Sequence, residues 1–319
     1  MMRAALLHDC GAPPAIGKRA MPVPKDDERT VRVTAASITP LDVLCASGTS
    51  YFGTPVTPYV PGVQGVGELD DGTAAWFATS AGMRPGDGSM AEYAVVRPAD
   101  TVALPEGVDH RLMAALGLSA VAALMALTWR GGLRSGEQVL VLGGGGVVGQ
   151  AAIQLARLGG ARRVVAACRS ESARQRARRV GADAVVPLGG SDVAALTEDM
   201  KAAADGPVDL VVDPLFGEPA VAALRTLHSG GRLVNLGSTA GETAPIDSAT
   251  LRGGSLNVLG YTNNGLSADQ RADAIGVIAE HVRAGRLTLD YESVALADIG
   301  GAWVRQAAGL ADRRLVVVP

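Results

Sequence analysis

The spacing of apolar and polar positions changes rhythm partway along the chain. Over the first hundred residues, short apolar runs of β type (4–7, 30–36, 63–69 and 90–96) are separated by clusters rich in Pro and Gly, a pattern that predicts a twisted, mostly antiparallel unit. From Gln138 onward the rhythm is strand, then helix, repeated. Strands are expected at 139–142, 163–168, 184–186, 208–212, 232–236 and 256–259. Between them, helices are expected over 147–158, 172–180, 192–201 and 218–227, the first carrying apolar residues at 147, 148, 151, 152, 155 and 158. Strands that alternate with helices require a parallel sheet covered on both faces. A further helix over 269–284 precedes a last strand at 315–318, which has no helix after it and is expected to return to the first unit.

The most informative stretch is the bend after the first of these strands, Gly143, Gly144, Gly145, Gly146, Val147, Val148 and Gly149, which opens the 147–158 helix. A diphosphate needs this order. Glycines let the backbone turn tightly and come close to the ligand, and the unpaired N–H groups and dipole at the helix start favour negative charge. Gly144, Gly146 and Gly149 also fit G-x-G-x-x-G, and the strand before and helix after supply the context that this short motif requires. The fold class is therefore α/β: a doubly wound Rossmann sheet that binds a dinucleotide, beside a second, mostly antiparallel β domain.

Sites that prefer NADH place a carboxylate about 20 positions past the glycines, on the adenosine ribose. Here the second strand ends in Cys168, Arg169 and Ser170. A guanidinium and a hydroxyl suit a 2′-phosphate, so NADPH is the expected cofactor, with Arg174 as a second cation one turn on. The competing reading is a solvated basic helix face made of Arg174, Arg176, Arg178 and Arg179.

Length and charge narrow the classes. With 319 residues the chain has material for two domains, and 29 Lys and Arg against 32 Asp and Glu leave no positive field for a nucleic acid or an anionic membrane. The three cysteines, Cys10, Cys45 and Cys168, are far apart and lack zinc-ligand spacing, so no metal site is expected. The odd cysteine count and the short apolar run at 4–7 point to the cytoplasm. Residues 112–129 carry no charge over 18 positions, the lower limit for a membrane span. Their Ala-rich composition, with Gly117, Ser119 and Thr128, fits a pair of buried helices better.

Many short segments in order, among them VRVTAASITPLDVLCASG, TPYVPGVQGVG, AEYAVV, LGLSAVAALMAL, VLVLGGGGVVGQAAIQLARLGG, VDLVVDPLFG and GGRLVNLG, resemble the medium-chain dehydrogenase/reductase superfamily. The likeness is to its zinc-independent quinone oxidoreductase and enoyl reductase branch. It implies a GroES-like catalytic domain over 1–113, an NADPH-binding Rossmann domain over 114–259, and a return to the catalytic domain over 260–319. It also implies hydride transfer from a nicotinamide, bound in the cleft between domains, to an enone or a quinone. A ketone or aldehyde reductase and a cofactor-binding protein without activity are the alternatives.

Zinc-dependent relatives place a Cys where Thr39 stands and a His-Glu pair where Val63 and Gln64 stand, so this chain lacks that ligand set. By the same resemblance Tyr51 is a candidate hydrogen-bond donor to the substrate oxygen, with packing as its other reading. Thr39, which stands where many relatives have Asn, is a second candidate, and Asp42 is expected to orient the loop. Ser119 corresponds to a hydroxyl at the nicotinamide side. Leu236, Gly237 and Ser238, after the fifth strand, and Tyr261, after the sixth, complete the cofactor-binding set. Arg313 or Arg314 matches a basic residue that some relatives place near the pyrophosphate, or else forms a solvated turn. The 256–259 strand should lie at the sheet edge and join two copies as a homodimer.

Overall fold

The computed structural model describes residues 1–189 and 192–319, which divide into two compact units. Unit 1 comprises Met1–Gly117 and Ala268–Pro319, and unit 2 comprises Leu118–Ser267. In chain order, unit 1 begins with β1 (Met2–Leu6), β2 (Ala15–Arg19), β3 (Arg29–Ser37), α1 (Pro40–Ala46), β4 (Gln64–Leu69), β5 (Ala74–Ala78), β6 (Tyr93–Val96) and β7 (Thr101–Ala103). Helix α2 (His110–Met125) follows and contains the boundary between the units. Unit 2 continues with β8 (Gln138–Leu142), α3 (Val147–Leu158), β9 (Arg163–Cys168), α4 (Glu171–Arg179), β10 (Ala184–Pro187), α5 (Val193–Ala203) and β11 (Val208–Asp213). Then come α6 (Gly217–Leu224), β12 (Leu227–Asn235), α7 (Ser248–Gly254) and β13 (Asn257–Gly260). The chain returns to unit 1 with α8 (Ala268–Arg283), β14 (Tyr291–Ala295), α9 (Ile299–Ala307) and β15 (Arg314–Val318).

Unit 1 is built on a sheet of order β14-β15-β3-β4-β5-β7, with β6 also paired to β3 and a separate β1-β2 hairpin. Its pairings are antiparallel except for β14 with β15. The last strand, β15, joins the unit by pairing with Ala36 and Ser37 of β3, as its lack of a following helix predicts. Trp76 and Phe77 of β5 are fully buried; Phe77 packs in a core with residues of β1, β3 and β15, among them Ala4, Val31 and Leu315.

Unit 2 carries a six-stranded parallel sheet of order β10-β9-β8-β11-β12-β13. The order reverses direction at β8, where the connection leaves for β9 on one side and β11 lies on the other. Ligands of such sheets lie beyond the carboxyl ends of the strands at that reversal. Because both faces are covered, β8 is buried along its whole length, and β9 along all but its first residue.

The apolar 112–129 stretch is two helical segments rather than one, as its glycine suggests. Gly117 has φ 31° and ψ −128°, and a side chain there would run into Gln64, whose Cδ lies 2.5 Å from the Cβ position. Only glycine fits that break. Taken together, 110–130 is long and apolar enough to cross a membrane, but 67% of its most apolar window is buried within the protein, as in core helices.

Candidate functional site: the glycine-rich bend and the carboxyl edge of the unit 2 sheet

Strand β8 ends at Leu142, and Gly143 turns the chain with φ 64°. Three glycines of the bend are demanded by the protein itself. A Cβ on Gly144 would lie 2.6 Å from Ala166 Cβ, one on Gly145 would lie 2.6 Å from Ala173 Cα, and one on Gly149 would overlap Gly143 O and come within 2.6 Å of Gly144 Cα. Gly146 is different: its Cβ position faces open space, the nearest atom being Gly143 O at 3.5 Å.

Gly146 is also the N-cap of α3, and no side chain caps that helix. The first-turn N–H groups, which have no partner inside a helix, therefore remain available at an exposed residue backed by the helix dipole. Arg176 Nε donates to Gly145 O at 3.1 Å and Gln150 Nε2 to the same oxygen at 2.9 Å, which holds the bend against α4 and α3. Sequence reading missed both clamps. An open backbone at Gly146, a bare helix start and a rigid support fit a diphosphate.

At the end of β9, Arg169 is exposed, and its guanidinium has no hydrogen bond or ion pair among the described residues. Ser170 caps α4 by accepting from Ala173 N at 3.2 Å, and its hydroxyl lies 3.1 Å from that of Ser172. Arg174 is committed elsewhere: Nε and Nη2 lie 2.8 and 2.7 Å from Glu171 Oε2, and Nη1 donates to Arg169 O at 3.2 Å. Arg174 thus holds the Glu171 carboxyl below its usual range.

The other strand ends form a continuous polar row. Buried Asp213, the last residue of β11, accepts from the amides of Leu215 and Phe216 at 2.9 and 2.8 Å. Burial pushes its carboxyl pKa up. Asn235, which ends β12, donates Nδ2 to Asp213 Oδ2 at 3.0 Å and to Gly237 O at 2.8 Å. Leu236 N is tied to Asp213 O at 2.9 Å, a Cβ on Gly237 would lie 2.7 Å from Pro214 O, and Ser238 Oγ donates to Glu242 Oε1 at 2.7 Å. Tyr261 follows β13; its N donates to Asn235 O at 2.9 Å, and burial pushes its phenol up. Its hydroxyl donates to Asn263 Oδ1 at 2.6 Å, and Asn263 Nδ2 donates to Leu118 O at 3.1 Å, beside half-buried Ser119. The nucleotide-binding candidates other than Arg174 therefore lie on the bend or the strand ends of unit 2, or, for Ser119, next to a residue bonded to them. Asp213, Asn235 and Asn263 join them as residues that the strand pattern alone did not mark.

In unit 1, Thr39 and Asp42 form a capping box at the start of α1. Thr39 N and Oγ1 donate to Asp42 Oδ2 at 2.8 and 2.6 Å, and Val63 N donates to Asp42 Oδ1 at 2.8 Å. Thr39 is buried with its hydroxyl spent on Asp42, so it holds the loop and is not a free donor. Gln64 Nε2 likewise donates to Ser37 Oγ at 3.0 Å and Ala114 O at 3.2 Å. Among the described residues no group of three His, Cys, Asp or Glu side chains is placed to hold a metal ion. Tyr51 is 78% exposed, its ring 4.2 Å from that of Phe52, and it is not a packing residue of the core. Of the two arginines, Arg313 is exposed in the bend before β15, whereas Arg314 departs from both readings: it is buried in unit 1 and donates Nη1 to Ile38 O at 2.9 Å. Burial pushes it down to about 10.

The fold is that of the medium-chain dehydrogenase/reductase class of oxidoreductases. The sequence profile of the zinc-binding dehydrogenase family matches residues 147–280. Human quinone oxidoreductase is 30% identical over 252 residues, spanning 75% of this chain and 74% of the human protein. A mycobacterial quinone oxidoreductase of solved structure superposes with a TM-score of 0.88 at 20% identity over 100% of both chains. The mycobacterial Rv1454c, solved as a complex with NADPH, superposes with a TM-score of 0.85 at 20% identity, again over 100% of both chains. The chain belongs to the quinone oxidoreductase family.

Proposed function

We propose that this protein is an NADPH-dependent, metal-independent reductase that transfers a hydride to an activated C=C bond or a quinone, and that it works in the cytoplasm as a homodimer. The observation that carries the reading is the bare start of α3 beneath an open Gly146, together with the unpaired Arg169 at the end of β9. In this reading Gly143, Gly144, Gly146, Val147, Val148 and Gly149 hold the pyrophosphate through backbone N–H groups and the helix dipole. Arg169 and Ser170 take the 2′-phosphate, with Arg174 as a reserve cation. Leu236, Gly237, Ser238 and Tyr261 line the path to the nicotinamide, and Ser119 meets it. When bound, NADPH supplies the hydride.

Charge that develops on the substrate oxygen is met by a hydrogen-bond donor, because Thr39, Val63 and Gln64 stand where zinc-dependent relatives have ligands. Tyr51 is the candidate for that donor, its phenol having no hydrogen bond among the described residues. Two measurements test the reading. NADPH oxidation is followed with an enone, a quinone and a simple aldehyde; turnover of the first two is expected, and aldehyde turnover alone moves the assignment to a carbonyl reductase. Arg169→Asp is expected to weaken NADPH by about 10- to 150-fold, the worth of one charge-assisted contact, and to leave NADH unchanged. Unaltered NADPH affinity removes Arg169 from the phosphate role.

A further inference from the structure

We infer that Tyr261 and Asn263 form a positioning relay that sets the backbone at Leu118, and with it Ser119, so that Tyr261 acts on the nicotinamide end through Asn263 rather than by touching it. This rests on the proposed reading in which Ser119 meets the nicotinamide.

Three observations carry it. First, the helix segment that bears Ser119 begins just after the break at Gly117, so its first turn is set apart from the helical turns before it. Second, Asn263 reaches that start from the loop after β13, donating Nδ2 to Leu118 O at 3.1 Å. Third, Leu118 O can only accept, so the amide must turn Nδ2 towards it and Oδ1 away, and the Tyr261 hydroxyl donates to that Oδ1 at 2.6 Å and holds the side chain in place.

The relay has a rigid base. Tyr261 N is bonded to Asn235 O at 2.9 Å, and Asn235 is locked to Asp213, so the relay hangs from the ends of β11 and β12. The far end of the same helix is pinned to the same loop. Its last turn, Ala126–Arg130, is a wide π-helical one; Arg130 Nε donates to Gly260 O at 3.0 Å, and Trp129 packs edge-on against Tyr261 with ring centroids 6.3 Å apart. The segment 260–263 therefore grips the helix at both ends, and of these two grips the Asn263 contact is the one next to Ser119.

The test titrates the full chain with NADPH and with 2′-phospho-ADP-ribose, which is the same molecule without its nicotinamide. Tyr261→Phe keeps the ring and removes the hydroxyl, and Asn263→Asp keeps the acceptor and removes the donor. Each is expected to weaken NADPH by about three- to tenfold, the worth of one hydrogen bond, and to leave 2′-phospho-ADP-ribose unchanged. The double variant is expected to be no worse than either single one. Unchanged NADPH affinity in both variants, equal weakening of both ligands, or full additivity in the double variant overturns the relay. If the wild-type chain binds neither ligand, the coenzyme reading itself fails and takes the relay with it.

Discussion

At the scale of single residues, the glycines of the bend divide into those the protein needs for itself and one it does not. Gly149→Ala puts a methyl into Gly143 O and Gly144 Cα, so a loss of stability of about 2 kcal/mol or more is expected, read as a lowered denaturation midpoint. Gly146→Ala meets nothing closer than 3.5 Å and keeps an allowed φ of −77°, so its stability cost is expected to stay below about 1 kcal/mol while NADPH affinity falls at least about tenfold, because the methyl occupies the approach to the bare helix start. Equal affinity in Gly146→Ala and wild type, measured by titration, removes the bend from the binding role. The motif was legible in the sequence because the order strand, glycines, helix is local. That an arginine follows β9 was plain from residue order, but the pairing of Arg174 was not: it depends on Glu171 lying within reach along the same face of α4, a surface pairing that residue spacing permits without requiring. Arg314 was misjudged for a related reason, since a charged residue beside a turn reads as solvated until the strand that carries it is seen to enter the core.

At the scale of elements, the alternation of apolar runs with helical periodicity located the six strands of the parallel sheet; the central β8, β9 and β11 are buried on both faces or nearly so, and burial leaves a mark in composition. Strand β2, with mostly exposed or half-exposed residues, and helix α1, of seven residues, leave no such mark and went unread. The Asp213, Asn235, Tyr261 and Asn263 row was also illegible, because its members lie far apart in sequence and meet only once the strands are in register, Asp213 opposite Asn235 and Asn235 opposite Gly260. The sixth strand lies where the pattern put it, at the sheet edge, with β12 on one side only. A free backbone edge invites another strand. The chain is expected to sediment as a dimer at micromolar concentration, and Val258→Arg, a change at a 41% exposed position of β13, is expected to shift it to monomer. A wild-type monomer, or a variant dimer as tight as wild type, contradicts pairing through this edge.

At the scale of the whole molecule, charge sets the acid limit of stability. Arg29 holds the Asp71 carboxyl well below its usual range, Arg3 does so for Glu92 through its backbone N–H and its guanidinium, Thr250 for Asp247, and Arg305 for Glu292. A carboxylate whose folded pKa is depressed binds fewer protons in the native state, so its stabilisation is complete above the unfolded value of about 4 and is lost as pH falls through the folded value. Asp42 and Asp213 oppose this, since burial raises both. The depressed group is the larger but sits at the surface, so a modest fall in melting temperature between pH 6 and pH 3 is expected; a rise over that range contradicts the assignment of these ion pairs.

The claim on which the rest depends is that unit 2 holds a phosphorylated dinucleotide on the start of α3. Calorimetric titration of the purified chain with NADPH and, separately, with NADH tests it most directly. Saturable binding of one NADPH per chain, tighter than NADH, is the predicted result, and absence of binding by either coenzyme is the result that contradicts it.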